Sequence, residues 1–206
     1  FKQWVNRDKT VFSPKKWDSY STSHLSAYLS IQKEVYQHIA HRVQGNVLDL
    51  GCGTGRIMVY LQDNGRVNSY TGVDASEAMI RQASWLKTQL SFDNAQLIHA
   101  DIADVQGQYD AIFSVHSYYS WPEQDKLLRH IHALLMESGT FILVTPNDNF
   151  DEERLSHLAQ QELLGHPDYE EFMAINYAIA ATAKMEGRYV PLDTLIERVK
   201  RAGFRV

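Results

Sequence analysis

A chain of 206 residues has room for one domain with a substantial core and too little for two comfortable ones. Apolar residues make up 44% and charged residues 22%, close to the averages of globular proteins, which excludes disordered, collagen-like and coiled-coil readings. A net charge of −5, with 20 Lys plus Arg against 25 Asp plus Glu, disfavours a nucleic-acid partner, and no stretch approaches the roughly 20 apolar residues of a membrane span.

Residues 1 to 45 read as an irregular aromatic arm carrying Trp4, Phe12, Trp17 and Tyr20, followed by an amphipathic helix over 23–43 that Gly45 closes. Beyond it, short apolar strands at 47–50, 70–73, 96–100, 111–115 and 141–145 alternate with helices at 55–64, 76–86 and 122–137. The last of these helices has Leu127, Leu128, Ile131, Leu134 and Leu135 on one face, Pro122 in its first turn and Gly139 at its exit. Strand alternating with helix implies a doubly wound α/β fold, a mostly parallel sheet covered on both faces.

An insertion over 147–190, with Leu155, Leu158, Leu163, Leu164, Phe172, Met173, Ile175, Tyr177 and Ile179 at roughly helical spacing, is expected to lie as a helical cap over the sheet's carboxyl edge. A final helix over 193–201 stops at Gly203, and 204–206 read as the start of a sixth strand. The whole is one domain: arm and helix at 1–45, core at 46–146, cap at 147–190 and last helix at 191–206. The lone Cys52 excludes an internal disulfide and fits a reducing cytoplasm.

The strongest motif is Val47-Leu48-Asp49-Leu50-Gly51-Cys52-Gly53-Thr54-Gly55-Arg56, a strand running into a glycine-rich turn and then a helix. Alternating glycines let the backbone bend sharply and let a ligand lie against it. A dinucleotide fingerprint would need its third glycine where Arg56 stands, and a carboxylate at Asp49 would repel a pyrophosphate. Both features point away from a pyrophosphate ligand. Further acidic residues follow at strand ends, Asp74 and Asp101. Asp74 reads either as an acceptor for ribose hydroxyls or as an N-cap paired with Glu77, and Asp101 either as a ligand group or as a surface turn residue.

The motif resembles the first motif of the class I S-adenosylmethionine methyltransferases almost letter for letter, and the resemblance runs to the chain's end. It implies a seven-strand-type methyltransferase core whose final antiparallel hairpin is mostly missing from this chain. It implies S-adenosylmethionine as cofactor and S-adenosylhomocysteine as product. Gly51, Cys52, Gly53 and Gly55 would hold the methionine moiety, with Asp49 orienting its amino group. Asp74 and Ala75 would meet the ribose. Met79 would lie beside the adenine, with Asp101 and the Ile102 amide on its edge. Ser114 and Val115 would close the cofactor site, and Tyr20 would fold over it.

The segment Ser114-Val115-His116-Ser117-Tyr118-Tyr119-Ser120-Trp121 stands where the family faces the methyl group, which makes His116 the candidate to touch or deprotonate the acceptor. Tyr118, Tyr119, Trp121 and Tyr177 are the candidate acceptor-binding aromatics. No N-P-P-Y-type tetrapeptide follows the fourth strand, and the segment resembles the quinone-biosynthesis-like, small-molecule branch. A small aromatic or apolar acceptor is therefore expected, with a monomer or homodimer and no membrane partner. A protein or RNA methyltransferase, a silent cofactor-binding protein and a nicotinamide-dependent oxidoreductase stand as rivals. His38 and His41 share a helix face but lack a third ligand, so no metal is expected.

Overall fold

A computed structural model describes residues 24–206, and the expectation for Tyr20 falls outside them. A 3-10 turn at His24–Tyr28 leads into α1 (Ser30–Ala40), β1 (Gly45–Leu50), α2 (Met58–Leu61), β2 (Val67–Asp74), α3 (Glu77–Leu90) and β3 (Ala95–His99). Then come β4 (Tyr109–Val115), α4 (Gln124–Leu134), β5 (Leu135–Val144), α5 (Glu152–Leu163), α6 (Tyr169–Met185) and α7 (Leu192–Arg201). The strands form one sheet in the order β3-β2-β1-β4-β5, every pairing parallel.

The first glycine motif leaves the sheet at its middle strand, where the strand order reverses, and that is where open α/β sheets bind ligands. Side chains of β1 alternate between two cores. Val47 packs with Ile39, Met58, Leu61, Ala83 and Tyr70 beneath α1, α2 and α3, while Leu48 and Leu50 pack with Leu127, Leu128, Ile131 and Leu195 beneath α4 and α7. Both faces are covered, so the strand reads as a nearly continuous apolar run interrupted by Asp49.

Several boundaries differ from the sequence expectation, each for a local reason. The helix expected over 23–43 is broken at Leu29, whose ψ of 137° is extended. Leu25 and Leu29 belong to the cap's core with Ala159, Leu163 and Phe172, whereas Ile39 and Val43 belong to the sheet's, and one straight helix does not serve both. The helix expected over 55–64 is α-helical only at Met58–Leu61, because its entry winds as tight turns, Met58 N–H donating to Gly55 O and Val59 N–H to Arg56 O. The helix expected over 122–137 stops at Leu134, since Leu135 already pairs with Tyr109 in the sheet.

No sixth strand forms at 204–206, where the chain is irregular. Phe204 instead stacks on Phe141 at 4.9 Å and meets His132 edge-on. Among the described residues the sheet has the five parallel strands of a Rossmann-like core, and no described helix is long and apolar enough to cross a membrane.

The insertion forms the cap as two helices, α5 and α6. Lys184 pairs with Glu152 at 2.6 Å and ties one to the other. α1 has no side-chain cap of its own. Its first turn is closed by Glu162 of α5, which accepts from Ser30 N–H at 2.7 Å and from the Ser30 hydroxyl.

Candidate active site

The carboxyl ends of β1, β2 and β4 open into one cavity of about 770 Å³, roofed by α1, α5 and α6. Its floor is the glycine turn. Gly51, Gly53 and Gly55 all have positive φ, between 54° and 73°, a region closed to most other residues. A methyl group on Gly51 would lie 2.5 Å from Ser117 Cβ, so the bare glycine lets the β4 exit approach the turn. A methyl group on Gly53 would meet nothing nearer than Met79 Sδ at 4.0 Å, which leaves free space over that part of the turn.

Asp74 joins the turn to the next strand. One carboxylate oxygen accepts from Gly53 N–H and the other from Ser76 N–H, each at 2.9 Å. The N-cap of α3 is Ser76, whose Oγ accepts from Met79 N–H, so the capping role open to Asp74 in the sequence belongs to its neighbour. Asp101 lines the same wall while its Oδ1 accepts from Ala103 N–H at 2.8 Å, capping a short 3-10 turn. Ala75, Met79 and Ile102 lie on this wall as well.

Asp49 does not line the cavity. In register it is level with Gly72, two residues below Asp74, so it sits beneath the turn rather than around the ligand space. It is 4% exposed, and Tyr70 Oη–H donates to its Oδ2 at 2.8 Å. Burial pushes its carboxyl up to about 7 against the phenol's opposing pull, and Asp74 adds to the rise. Gly55 and Ser114 also lie off the cavity wall, and Tyr118, fully buried, packs edge-on against Trp121 in the core. The three carboxylates thus do not ring one space as the strand-end pattern suggested: Asp74 and Asp101 share a wall, and Asp49 underlies it.

Ser117, unnoticed in the sequence, organises the β4 exit. Its hydroxyl donates to Leu50 O at 3.0 Å and accepts from Trp121 Nε1–H at 3.0 Å. Because its single proton goes to Leu50, Ser114 is the donor in the 2.6 Å contact between the two hydroxyls. Ser114 and Trp121 therefore hold the loop that carries His116.

His116 has φ of 56° and lines the cavity. The protein packed around the ring disfavours its charged form and lowers its pKa to about 4, so the imidazole is neutral at pH 7. Its Nε2 meets Gln32 Oε1 at 3.0 Å, and Gln32, 5% exposed, keeps Nε2 buried without a partner. Gln32 was hidden in the sequence because a glutamine on an amphipathic helix reads as solvated. The cap contributes Phe172, Ile179 and Tyr177, whose hydroxyl donates to Ser156 Oγ at 2.7 Å, and Tyr119 joins them from the turn after β4. Arg56 also lines the cavity, with Nε buried and unpartnered. No metal-holding cluster occurs among the described residues.

A family model described as a methyltransferase domain matches residues 24–206. Trans-aconitate 2-methyltransferase of Enterobacter sp. (strain 638) is 30% identical over 138 residues, 66% of this chain and 52% of that protein. Sterol 4-C-methyltransferase strm-1 of Caenorhabditis elegans is 27% identical over 147 residues, 66% of this chain and 42% of that protein. The chain therefore spans about half the length of the curated relatives it matches. In fold it resembles the plantazolicin methyltransferase BpumL, solved with SAH, at a TM-score of 0.59 and 18% identity over 95% of this chain and 73% of that one.

Proposed function

The chain belongs to the class I S-adenosylmethionine-dependent methyltransferases, and from that premise we propose that it transfers a methyl group from S-adenosylmethionine to a small acceptor with a mostly apolar body. The observation that carries this reading is the single cavity that runs from Asp74 and Asp101 at the sheet edge to His116 and the aromatic cap. A walled space of this size suits a small molecule, whereas a protein or RNA acceptor calls for an open charged groove. The names of the relatives, an aconitate and a sterol methyltransferase, support a small molecule too.

The residues present fit the cofactor chemically. Free space over Gly53 suits the methionine moiety, and Arg56 is a cation on the cavity wall available to its carboxylate. Asp74 offers acceptors to ribose hydroxyls, and Met79, Asp101 and Ile102 form the wall for the base. When bound, S-adenosylmethionine supplies an electrophilic methyl with a good leaving group, so the protein's task is alignment and exclusion of water.

His116 is a weak base here. Its depressed pKa and its Nε2 contact with Gln32 leave Nδ1 as the ring atom turned to a ligand, which suits a hydrogen bond to an acceptor already nucleophilic at pH 7 better than removal of a phenolic proton. The test is calorimetric titration with S-adenosylmethionine and S-adenosylhomocysteine, then a panel of apolar, aromatic and charged acceptors with labelled cofactor. Turnover of aromatic or apolar acceptors is expected. Turnover of highly charged acceptors alone would overturn the apolar assignment, and absence of cofactor binding would overturn the reading as a whole.

A further inference from the structure

Tyr70 is an unusual occupant of a buried strand position. Its ring is fully buried in the sheet core, packed at 6.1 Å from that of Phe92, and its hydroxyl needs a partner there. It finds one by running up the strand. Tyr70 pairs in register with Val47, but its Oη–H donates to Asp49, which is level with Gly72. Residues 70 and 72 share a face of the strand, so a side chain at 72 would stand in the way. A methyl group there would lie 2.9 Å from Tyr70 Oη and 2.9 Å from Leu97 Cδ2. Gly72 is the clearance that lets the phenol reach the acid.

Among the described residues, the groups acting on this pair are acidic or neutral. Asp74 at the end of β2 repels charge on Asp49. Cys52 in the turn is itself held neutral by burial and by both carboxylates, and Tyr36 of α1 faces Tyr70. A buried carboxyl with a donor on one oxygen and only acidic or neutral neighbours lacks a countercharge, and the strand that bears it ends in the glycine turn.

We propose that Tyr70 is a positioning residue of the cofactor site: through the gap left by Gly72 it holds the Asp49 carboxylate beneath the turn as countercharge to the cationic cofactor, and cofactor uptake drives a proton from Asp49 to solvent. This rests on the S-adenosylmethionine reading above. The sign follows from the contacts. The phenol's donated hydrogen bond favours the ionised acid, so removing it leaves Asp49 protonated to higher pH and weakens binding of a cation in that range.

The experiment is calorimetry of S-adenosylmethionine binding between pH 5.5 and 8 in two buffers of different ionisation enthalpy, which counts protons released. Wild type should bind more tightly as pH rises through the range and release a fraction of a proton. Tyr70→Phe should move the midpoint up by about one pH unit, weaken binding roughly 5- to 10-fold near pH 6.5, release more protons there and converge on wild type towards pH 8. Gly72→Ala, which crowds the hydroxyl, should move the midpoint the same way, and Asp49→Asn should abolish the release. Infrared titration of the Asp49 carboxyl in cofactor-free wild type and Tyr70→Phe reads the same shift without ligand. Normal cofactor binding with a pH profile and proton count unmoved by Tyr70→Phe overturns the coupling alone. A wild type that binds no cofactor at any pH overturns the cofactor reading and the coupling with it.

Discussion

The two halves of the cavity are built by different means. The sheet side is made of backbone: glycines at positive φ, a carboxylate fixed by the Gly53 and Ser76 amides, and Gly51 and Cys52 N–H groups donating to Val73 O. The cap side is made of side chains on helices, apolar residues such as Phe172 and Ile179 with a single buried amide, Gln32, set among them. A backbone-built surface is specific and hard to alter, whereas helix faces can exchange side chains without moving the chain. A common cofactor on the first and a variable acceptor on the second is the division of labour this construction supports.

Changes on the sheet side should move stability, cofactor affinity or both. The largest effect concerns pH. Asp49 has a pKa of about 7 in the folded protein against an ordinary 3.8, so between pH 4 and 7 the folded state holds a proton that the unfolded chain has released. Stability of the cofactor-free protein from this group therefore falls as pH rises through that window, by an amount on the order of 4 kcal/mol. Urea unfolding from pH 4.5 to 8 should show Asp49→Asn gaining on wild type as pH rises; parallel curves would remove the buried acid from the account.

Next in size is Gly51→Ala, which forces a methyl to 2.5 Å from Ser117 Cβ at a φ of 73°. Crowding and left-handed backbone together should cost about 3 kcal/mol, read as a lower denaturation midpoint with cofactor binding lost or severely weakened. A stable variant would mean that the turn is far softer than its contacts imply. Asp74→Asn keeps the shape but removes charge and acceptor capacity, and should weaken S-adenosylmethionine by about 1 to 3 kcal/mol, roughly 5- to 150-fold, by calorimetry.

The same division explains what the sequence disclosed. Backbone-built features depend on residue types with few substitutes, so the glycine turn stood out in the letters, while Asp74 and Asp101 could be placed near strand ends with their roles left open. Alternation of strand and helix made the parallel sheet legible, and the spacing of Leu155, Leu163, Phe172 and Ile179 read as helical without saying how many helices there were. Depth was not legible. Nothing in the letters says that Asp49 lies a step lower than Asp74, because that follows from strand register. Roles assigned by partners stayed hidden as well: Ser76 caps where Asp74 was a candidate, and Ser117 and Gln32 matter only for what the fold brings to them. The break at Leu29 was invisible for a related reason, since periodicity counts apolar residues and does not say which core each one joins.

Gln32→Leu should produce the smallest change, and it sharpens the comparison most. The wild-type amide gains one hydrogen bond, to His116, and leaves Nε2 buried without a partner. A net hydrogen bond contributes about 1 kcal/mol, and an unsatisfied buried group costs a similar amount, so the two nearly cancel. Leucine has nearly the same bulk and removes both terms, which predicts a stability within about 1 kcal/mol of wild type by urea unfolding. Cofactor affinity should not change, since Gln32 sits on α1 and its hydrogen bond is to His116. Released from its partner, His116 should turn more freely, and turnover of whichever acceptor the panel identifies should fall through kcat more than through KM. A tenfold loss of cofactor affinity in this variant would mean that the helical side shapes the cofactor site too, and the cavity would then have to be treated as one interdependent wall.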